Sequence, residues 1–262
     1  MMEKNMTKKT RTIIFILFII VFALTAPAVI FYSQGYRFDF TNRKVVQTGS
    51  LYLKISPKSA DVYINGKLIK TTSIFTNSAL IENLLPKTYN VEIKKQGFHT
   101  WQKTLEVREK QVTESKNVLL IPIDPKFDIF SSDEKEIIQT LSLIESSATS
   151  SDGKKVIEAN GHELWVYFVQ PKNESEMDDS DHRLFLNRFS ETIGKVFWLN
   201  DYYLIFNVGN KIKVAEIDDR DRINMVDLTD SFDNPEIFWD REKTQLFMLS
   251  SNKLYISEPL LP

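Results

Sequence analysis

The 262-residue sequence contains no cysteine, which excludes disulfide bridges, cysteine-based zinc sites and thiol catalysis. It has only eight glycines and neither a G-x-G-x-x-G nor a Walker motif, so no nucleotide cofactor is expected. It also lacks a strong charge of either sign, because 33 basic residues stand against 35 acidic ones. Nucleic-acid binding therefore has no electrostatic support.

Long apolar runs are equally scarce, and the single one extends from Ile13 to Phe31. As a helix, these nineteen uncharged residues would span about 28 Å, close to the thickness of a bilayer's hydrocarbon core. Several basic residues precede the run. We predict a transmembrane helix over 12–32, with residues 1–11 in the cytoplasm by the positive-inside rule and the bulk of the chain outside.

The same segment has features of a cleavable signal peptide. A basic start and an apolar stretch precede Ala26-Pro27-Ala28, which has the A-x-A form of a cleavage site. Cleavage there would leave an apolar new terminus at Val29, so an uncleaved single-pass anchor is favoured and cleavage is the alternative. Both alternatives place the rest of the chain outside the cytoplasm.

After a juxtamembrane segment at 33–49, residues 50–122 show the pattern of short strands separated by turns. Leu51, Leu53 and Ile55 alternate with polar residues, as in a half-buried strand. Asn65-Gly66 predicts a type I′ hairpin turn, since both residues tolerate positive φ. The pattern predicts a small antiparallel β-sandwich of six strands: 51–55, 62–64, 67–70, 89–93, 101–107 and 112–121.

These residues resemble the PEGA domain family. The family has a Pro-Glu-Gly-Ala stretch before a V-Y-I-[DN]-G hairpin, then L-P-P-G-x-Y and x-G-[YF] turns. The matching segments are Pro57-Lys58-Ser59-Ala60, Val62-Tyr63-Ile64-Asn65-Gly66, Leu85-Pro86-Lys87-Thr88-Tyr89 and Gln96-Gly97-Phe98. Lys58, Ser59 and Lys87 depart from it at turn positions. The resemblance implies a small extracytoplasmic β-module for envelope or surface interactions, without catalytic residues.

Residues 123–262 contain a repeat in which a strand, a tight turn and a second strand recur every 40 to 50 residues. The second strands begin near Leu164, Ile212 and Leu254. Such a unit is typical of β-propeller blades, and the region resembles WD-repeat and TolB-like propellers. It holds about three units, whereas a closed propeller needs at least four. We predict a partial, propeller-like antiparallel β-repeat region, with a compact non-propeller β-domain as the alternative.

Residues that could carry chemistry do not form a known motif. His99, His162 and His182 lack metalloprotease spacing and are interpreted as surface turn residues. The acidic run 174–181 lacks the glycine and spacing of a calcium loop and is interpreted, like the run 218–222, as a solvated connection. We predict no catalytic residue, no cofactor and no metal. Paired carboxylates of the glycosidase type stay open.

Aromatic residues are the remaining candidates for binding. The four tryptophans, Trp101, Trp165, Trp198 and Trp239, lie in apolar strands and are interpreted as core residues. Tyr52, Tyr63 and Tyr255 flank inward-facing positions and are the predicted surface binding residues.

Together these features predict a membrane-anchored, non-catalytic binding or scaffolding protein of the cell envelope. Its partners would be the membrane and either a cell-wall polysaccharide or an envelope protein. The alternatives are a carbohydrate-active envelope enzyme, or a sensor or assembly subunit that uses the β-repeats as a protein-interaction surface.

Overall fold

The computed structural model describes residues 8–130, 148–169, 183–230 and 232–261. Within these ranges the chain forms one helix and twenty strands, so the protein is mainly β, as predicted. The strands form several small antiparallel sheets, and none of the described ones closes into a barrel. The chain divides into two compact units. The first unit comprises residues 1–52, 80–88 and 106–114, and the second comprises 53–79, 89–105 and 115–262.

Helix α1, Lys8–Ser33, contains the whole apolar run. None of its residues is buried, and the helix is long and apolar enough to cross a membrane. An α-helix without a polar stripe presents apolar side chains in every direction, which suits lipid better than water. A helix over the predicted range 12–32 is therefore confirmed, while its insertion in a membrane, its orientation and its retention stay predictions.

A short antiparallel hairpin follows the helix, in the range where we predicted only a juxtamembrane segment. Strands β1 (Tyr36–Asp39) and β2 (Lys44–Gln47) pair so that Phe38 lies opposite Val45. Asp39 shapes the turn, because its carboxylate accepts hydrogen bonds from the backbone N–H groups of the two residues at 41 and 42. We call this element the β1–β2 hairpin.

Strands β3 to β9 occupy the region with the PEGA-like pattern. They form a three-stranded sheet of order β6-β3-β9 and a four-stranded sheet of order β5-β4-β7-β8. Along β3 and β8 every second side chain is buried, as the apolar alternation predicts. The strands are β3 (Gly49–Ser56), β4 (Asp61–Ile64), β5 (Lys67–Thr71), β6 (Ser78–Leu84), β7 (Lys87–Lys94), β8 (Trp101–Val107) and β9 (Val112–Leu119).

The predicted Asn65-Gly66 hairpin is confirmed. It joins β4 to β5, and both residues have positive φ, 49° and 77°, as a type I′ turn requires. The six predicted strands are all present. Strand β6 was missed because its apolar residues are interrupted by Glu82 and Asn83, which weakens the period-2 signal.

The region after Pro122 forms three antiparallel sheets of consecutive strands. Their orders are β11-β12-β13, β14-β15-β16-β17 and β18-β19-β20, and β10 from the beginning of the region pairs with β20. The strands are β10 (Phe127–Ile129), β11 (Lys155–Asn160), β12 (Glu163–Phe168), β13 (Arg183–Arg188), β14 (Ile193–Asn200), β15 (Tyr203–Val208), β16 (Lys211–Glu216), β17 (Met225–Thr229), β18 (Glu236–Asp240), β19 (Gln245–Ser250) and β20 (Lys253–Ser257).

Two larger apolar cores hold these sheets together. One packs β14–β16 against β18 and β19 around residues such as Ile205 and Ile237. The other packs β11–β13 against β14 and β15 around Val166 and Phe206. The three predicted strand pairs at β11–β12, β15–β16 and β19–β20 are confirmed as antiparallel hairpins. The kinship with propellers stays a prediction.

Candidate functional site

A cleft of about 330 Å³ lies in the second unit and is the candidate functional site. Its volume is in the range of small-ligand pockets. Strands β8 and β9 supply part of its wall, and the β-repeats supply the rest. We call it the cleft, and its lining residues include Trp101, Ser115, Lys116, Lys154, Lys155, Phe168, Tyr202, Tyr203, Glu216, Asp218 and Arg220.

The cleft has a buried ion pair beneath it. The Lys103 ammonium, which is fully buried, lies 2.5 Å from Glu216 Oε1. Its Nζ also donates to the Asp218 carbonyl at 2.5 Å and lies 3.6 Å from the Asp218 carboxylate. A buried charge is strongly unfavourable unless it is paired and hydrogen-bonded, and Lys103 meets both conditions.

The Glu216 carboxylate is surrounded by donors. Trp101 Nε1 donates to Oε2 at 2.8 Å, and Tyr203 Oη donates to the same oxygen at 3.4 Å. The backbone and side-chain nitrogens of Asn224 both donate to Oε1. With Lys103 in addition, both carboxylate oxygens are occupied. We call Trp101, Lys103, Tyr203, Glu216 and Asn224 the buried network.

Tyr203 stays neutral within this network. Burial, together with the negative charge of Glu216, raises the pKa of its phenol well above the ordinary value. The neutral hydroxyl can donate to Glu216 while it accepts a hydrogen bond from the backbone N–H of Leu119 at 3.0 Å. The Tyr203 hydroxyl therefore links Glu216 to the backbone of β9.

A second ion pair lies at the edge of the cleft. Arg220 contacts both carboxylate oxygens of Asp218, at 2.9 and 2.6 Å, and donates to Ser115 Oγ at 3.0 Å. Burial would raise the pKa of Asp218, but the hydrogen bonds from Arg220 and the charge of Lys103 outweigh it, so the pKa lies below its ordinary value. These contacts fix the orientation of the Arg220 guanidinium at the wall of the cleft.

The mouth of the cleft combines exposed rings with positive charge. Tyr202 and Phe168 are 44% and 40% exposed. The Lys155 ammonium lies 5.3 Å from the centre of the Tyr202 ring and is paired with Asp152 at 2.6 Å. Lys154, the preceding residue, is exposed. Rings beside ammonium groups can bind a ligand that carries both a flat apolar face and a negative charge.

Strand geometry explains why these side chains meet. Tyr203 begins β15 and enters the core, while Tyr202 belongs to the turn between β14 and β15 and lies outside the core. Lys155 begins β11 directly opposite Phe168, the last residue of β12, in the antiparallel register. The same register therefore places a cation and a ring side by side.

The charged side chains that line the cleft are mainly basic. Its lining includes four basic and two acidic side chains, and both acidic ones are already paired. Across the ranges the structure describes, no three histidine, aspartate or glutamate side chains converge as a metal site would require. An anionic ligand would meet ammonium groups without displacing the buried network.

The three predicted binding tyrosines lie in three different sheets, on β3, β4 and β20. Tyr52 is half-buried, between the buried Leu51 and Leu53. Tyr63 is half-buried with the Lys94 ammonium 4.8 Å from its ring centre. Tyr255 packs its ring 4.8 Å from that of Phe232 at the edge of a core. Their role in binding stays a prediction.

Other sequence-based interpretations have mixed outcomes. Three tryptophans are core residues as predicted, whereas Trp165 is half-exposed, with the Arg183 guanidinium 4.9 Å from its ring centre. His162 is exposed as predicted, and His99 lies just after a turn but is half-buried, with its Nε2 buried and without a hydrogen-bond partner among the described atoms. His182 and the acidic run at 174–181 lie outside the described residues.

The run 218–222 does more than form a solvated connection. Beside the Asp218 and Arg220 contacts, the Asp221 carboxylate accepts from the Thr104 backbone N–H at 2.8 Å, and Arg222 donates to Gln102 at 2.7 Å. This segment therefore docks along β8. A run rich in charges was interpreted as solvated because sequence alone does not show which partners it meets.

The sequence pattern could have predicted that two residues of the buried network face inward. Lys103 has the inward parity of Trp101 and Leu105, and Glu216 has the parity of Ile212 and Val214. A charged residue at an inward position of a strand requires a buried partner. The pattern could therefore have suggested that these two oppositely charged residues form a pair. It could not have predicted the distance between them.

Comparison with known families agrees with the resemblance drawn from the sequence. The family model described as the PEGA domain matches residues 48–120, a range that contains Trp101, Lys103 and Ser115. A comparison with curated proteins gave no match. Over residues 48–120 the chain is therefore similar to the PEGA domain, and its amino-terminal apolar helix is compatible with an envelope-associated protein.

Proposed function

We propose that the protein is a single-pass, membrane-anchored, non-catalytic binding protein of the cell envelope, and that the cleft binds an anionic wall polymer. In this proposal α1 is retained and the amino terminus faces the cytoplasm, because Lys8, Lys9 and Arg11 precede the apolar run. The β-structure then lies outside, where a wall polymer is available. The three repeat sheets would act as a partial propeller beside the PEGA-like region.

The observation that carries the proposal is the mouth of the cleft. Exposed rings of Tyr202 and Phe168 lie beside Lys154 and Lys155, and the carboxylates of the cleft are paired with lysine or arginine. Sugar rings present apolar faces that pack on aromatic side chains, while wall polymers add carboxylate or phosphate groups. Rings supply contact area, and the cations supply attraction that salt weakens.

The absence of a poised acid or base in the cleft supports a binding role over an enzymatic one. Glu216 is buried, and its two carboxylate oxygens accept hydrogen bonds from Trp101, Lys103 and Asn224 of the chain itself. A general acid or base must reach its substrate within hydrogen-bond distance. Asp218, held by Arg220, is equally committed.

The test is co-sedimentation of the full chain, in detergent, with purified peptidoglycan sacculi that carry their anionic polymer and with sacculi stripped of it by acid. We expect saturable binding to the first, weaker binding to the second, and a loss of about thirty-fold in affinity for Tyr202→Ala, which corresponds to a hot-spot truncation of about 2 kcal/mol. Lys154→Ala should lower affinity mainly at low salt.

The matched controls are Tyr52→Ala and Tyr63→Ala, which remove half-buried tyrosines that are not among the lining residues of the cleft. If both variants bind with unchanged affinity, the binding site is at the cleft. If they lose affinity and Tyr202→Ala does not, the site belongs to the predicted tyrosines instead. No binding to either form of sacculus rejects the wall-polymer function.

A second function, docking of an envelope protein, is favoured by one observation. Ile74 and Phe75 are strongly exposed in the loop between β5 and β6, where Ser73 Oγ accepts from the backbone N–H of Phe75 and holds the loop in shape. An ordered apolar loop of this kind suits a protein partner. Binding to whole envelopes but not to sacculi, abolished by Phe75→Ser, would select this function.

A further inference from the structure

One face of the β1–β2 hairpin exposes apolar side chains instead of polar ones. Phe40 is 84% exposed, Val45 64% and Phe38 47%. Phe38 and Val45 are direct cross-strand partners, and the rings of Phe38 and Phe40 lie 5.0 Å apart in an edge-to-face arrangement. The three side chains therefore form one continuous apolar patch, which we call the hairpin patch.

The opposite face of the hairpin is packed. Val46, next to Val45 along β2, is buried, and so is Asp39, next to Phe38 along β1. Since adjacent strand residues point to opposite faces, the packed face and the hairpin patch are the two sides of one ribbon. The exposure of the patch therefore follows from an ordered strand register.

The base of the hairpin is attached to the end of the apolar helix. The Arg37 guanidinium lies 3.5 Å above the centre of the Tyr32 ring and donates to the Tyr32 carbonyl at 2.8 Å. The rings of Phe31 and Tyr36 meet edge to face at 5.5 Å. Phe31 ends the apolar run, so these contacts hold the hairpin at the depth where a spanning helix leaves the hydrocarbon core.

The positive charge at the turn of the hairpin would be attracted to an anionic lipid surface. Arg43 is exposed in the turn, whereas the exposed Lys44 lies directly opposite Asp39 on the other face of the ribbon. The Asp39 carboxylate is committed to the turn, where it accepts from Thr41, from the Asn42 backbone and from Asn42 Nδ2. Exposed rings with cations beside them are typical of segments that lie in the headgroup region of an anionic bilayer.

We infer that the β1–β2 hairpin rests on the bilayer that holds α1, with the hairpin patch in the headgroup and upper acyl region and Arg43 of the turn against anionic headgroups. The inference rests on α1 being a retained membrane anchor and is independent of what the cleft binds. The hairpin would restrict how far the following strands can tilt on the end of a single helix.

The test uses the absence of cysteine from the chain. Thr41→Cys places a single thiol at the exposed turn of the hairpin, where an environment-sensitive NBD dye can be attached to the full chain reconstituted in phosphatidylglycerol–phosphatidylethanolamine vesicles. We expect a blue-shifted emission and quenching by lipids that carry a shallow nitroxide. Phe75→Cys is the matched control, because Phe75 is as exposed as Phe40 but lies in the β5–β6 loop.

Two further arms decide the outcome. In the first, Phe38→Ser and Phe40→Ser are added to the Thr41→Cys chain, and the emission should return to that of a dye in water. In the second, phosphatidylcholine vesicles replace the anionic ones, and quenching should fall because anionic headgroups are absent. Equal, water-like emission at residues 41 and 75 would overturn the inference. A blue shift that needs no lipid and grows with protein concentration would also overturn it, in favour of contact between copies.

Discussion

The β1–β2 hairpin and the buried network both break the rule that apolar side chains lie inside and charged ones outside, but they break it in opposite directions. In the hairpin, Phe40 is left in the open. In the network, Lys103 has no exposed surface at all. The difference shows what each region is built to contact. Lys103 meets its partners within the chain, whereas Phe40 has its apolar ring open to whatever medium surrounds the hairpin.

The same contrast extends to the elements around them. Helix α1 has no buried residue, as the hairpin patch has none, and both belong to the first unit. The buried network lies in the second unit, where each of its charges has several partners. A surface that faces lipid can leave its apolar side chains unpaired, whereas a protein core must satisfy every charge that it buries.

The largest expected effect comes from breaking the buried network at Lys103. Lys103→Met leaves the Glu216 carboxylate buried without its cation, and we expect a loss of about 3–5 kcal/mol in the free energy of unfolding. Urea unfolding of the full chain in detergent, followed by tryptophan fluorescence, measures it. Lys70→Met, which removes an exposed lysine of β5, should change stability by no more than about 0.5 kcal/mol.

A double variant separates the lost charge from the lost packing. Glu216→Gln keeps an acceptor for Trp101 but removes the negative charge, so Lys103→Met combined with Glu216→Gln should recover a large part of the loss. Simple additivity of the two single losses would show that Lys103 contributes through packing of its methylenes instead. The buried network would then lose its electrostatic explanation.

How much of this could be read from the sequence depends on whether the signal is local. The Asn65-Gly66 turn, the alternation along β3 and the apolar helix are local patterns, and each was predicted correctly. The cleft depends on Tyr202 and Phe168, which are far apart in the sequence, so no spacing rule could join them. The β1–β2 hairpin was missed because its outward face is apolar, which hides the alternation that marks a strand.

A smaller effect is expected in the response to acid, at the partly exposed edge of the network. The pKa of Asp218 is lower in the folded chain than the value of about 3.9 expected in the unfolded chain. Its ionised form therefore stabilises the fold above about pH 4, and this contribution is lost as the pH falls through the lower folded value. Asp218→Asn should lower stability near pH 7 and flatten the decline between pH 5 and pH 3.

The control is Asp227→Asn, which affects ion pairs with Lys211 and Lys213. The pKa of Asp227 is also lowered, but its side chain is more exposed than that of Asp218, so solvent and salt screen the pair. We expect a smaller change in slope, removed by 0.5 M salt. If Asp218→Asn keeps the acid response of the unmodified chain, the ion pairs of Asp218 do not stabilise the fold.

The smallest effect is expected at the base of the hairpin, and it is local. Arg37→Ala removes the cation from the Tyr32 ring and the hydrogen bonds to the Tyr32 carbonyl and to Asn83. Global stability should change little, because the hairpin is a peripheral ribbon of two short strands. Opening of the hairpin should become easier by about 1 kcal/mol, or about five-fold, and hydrogen exchange of peptides covering 36–48 measures it.

Lys44→Ala is the control, since its exposed side chain is not part of this contact. Equal acceleration in both variants would mean that any change in the ribbon loosens it. Acceleration in Arg37→Ala alone would show that the chain holds the hairpin patch at the end of the helix, as its position on a bilayer requires.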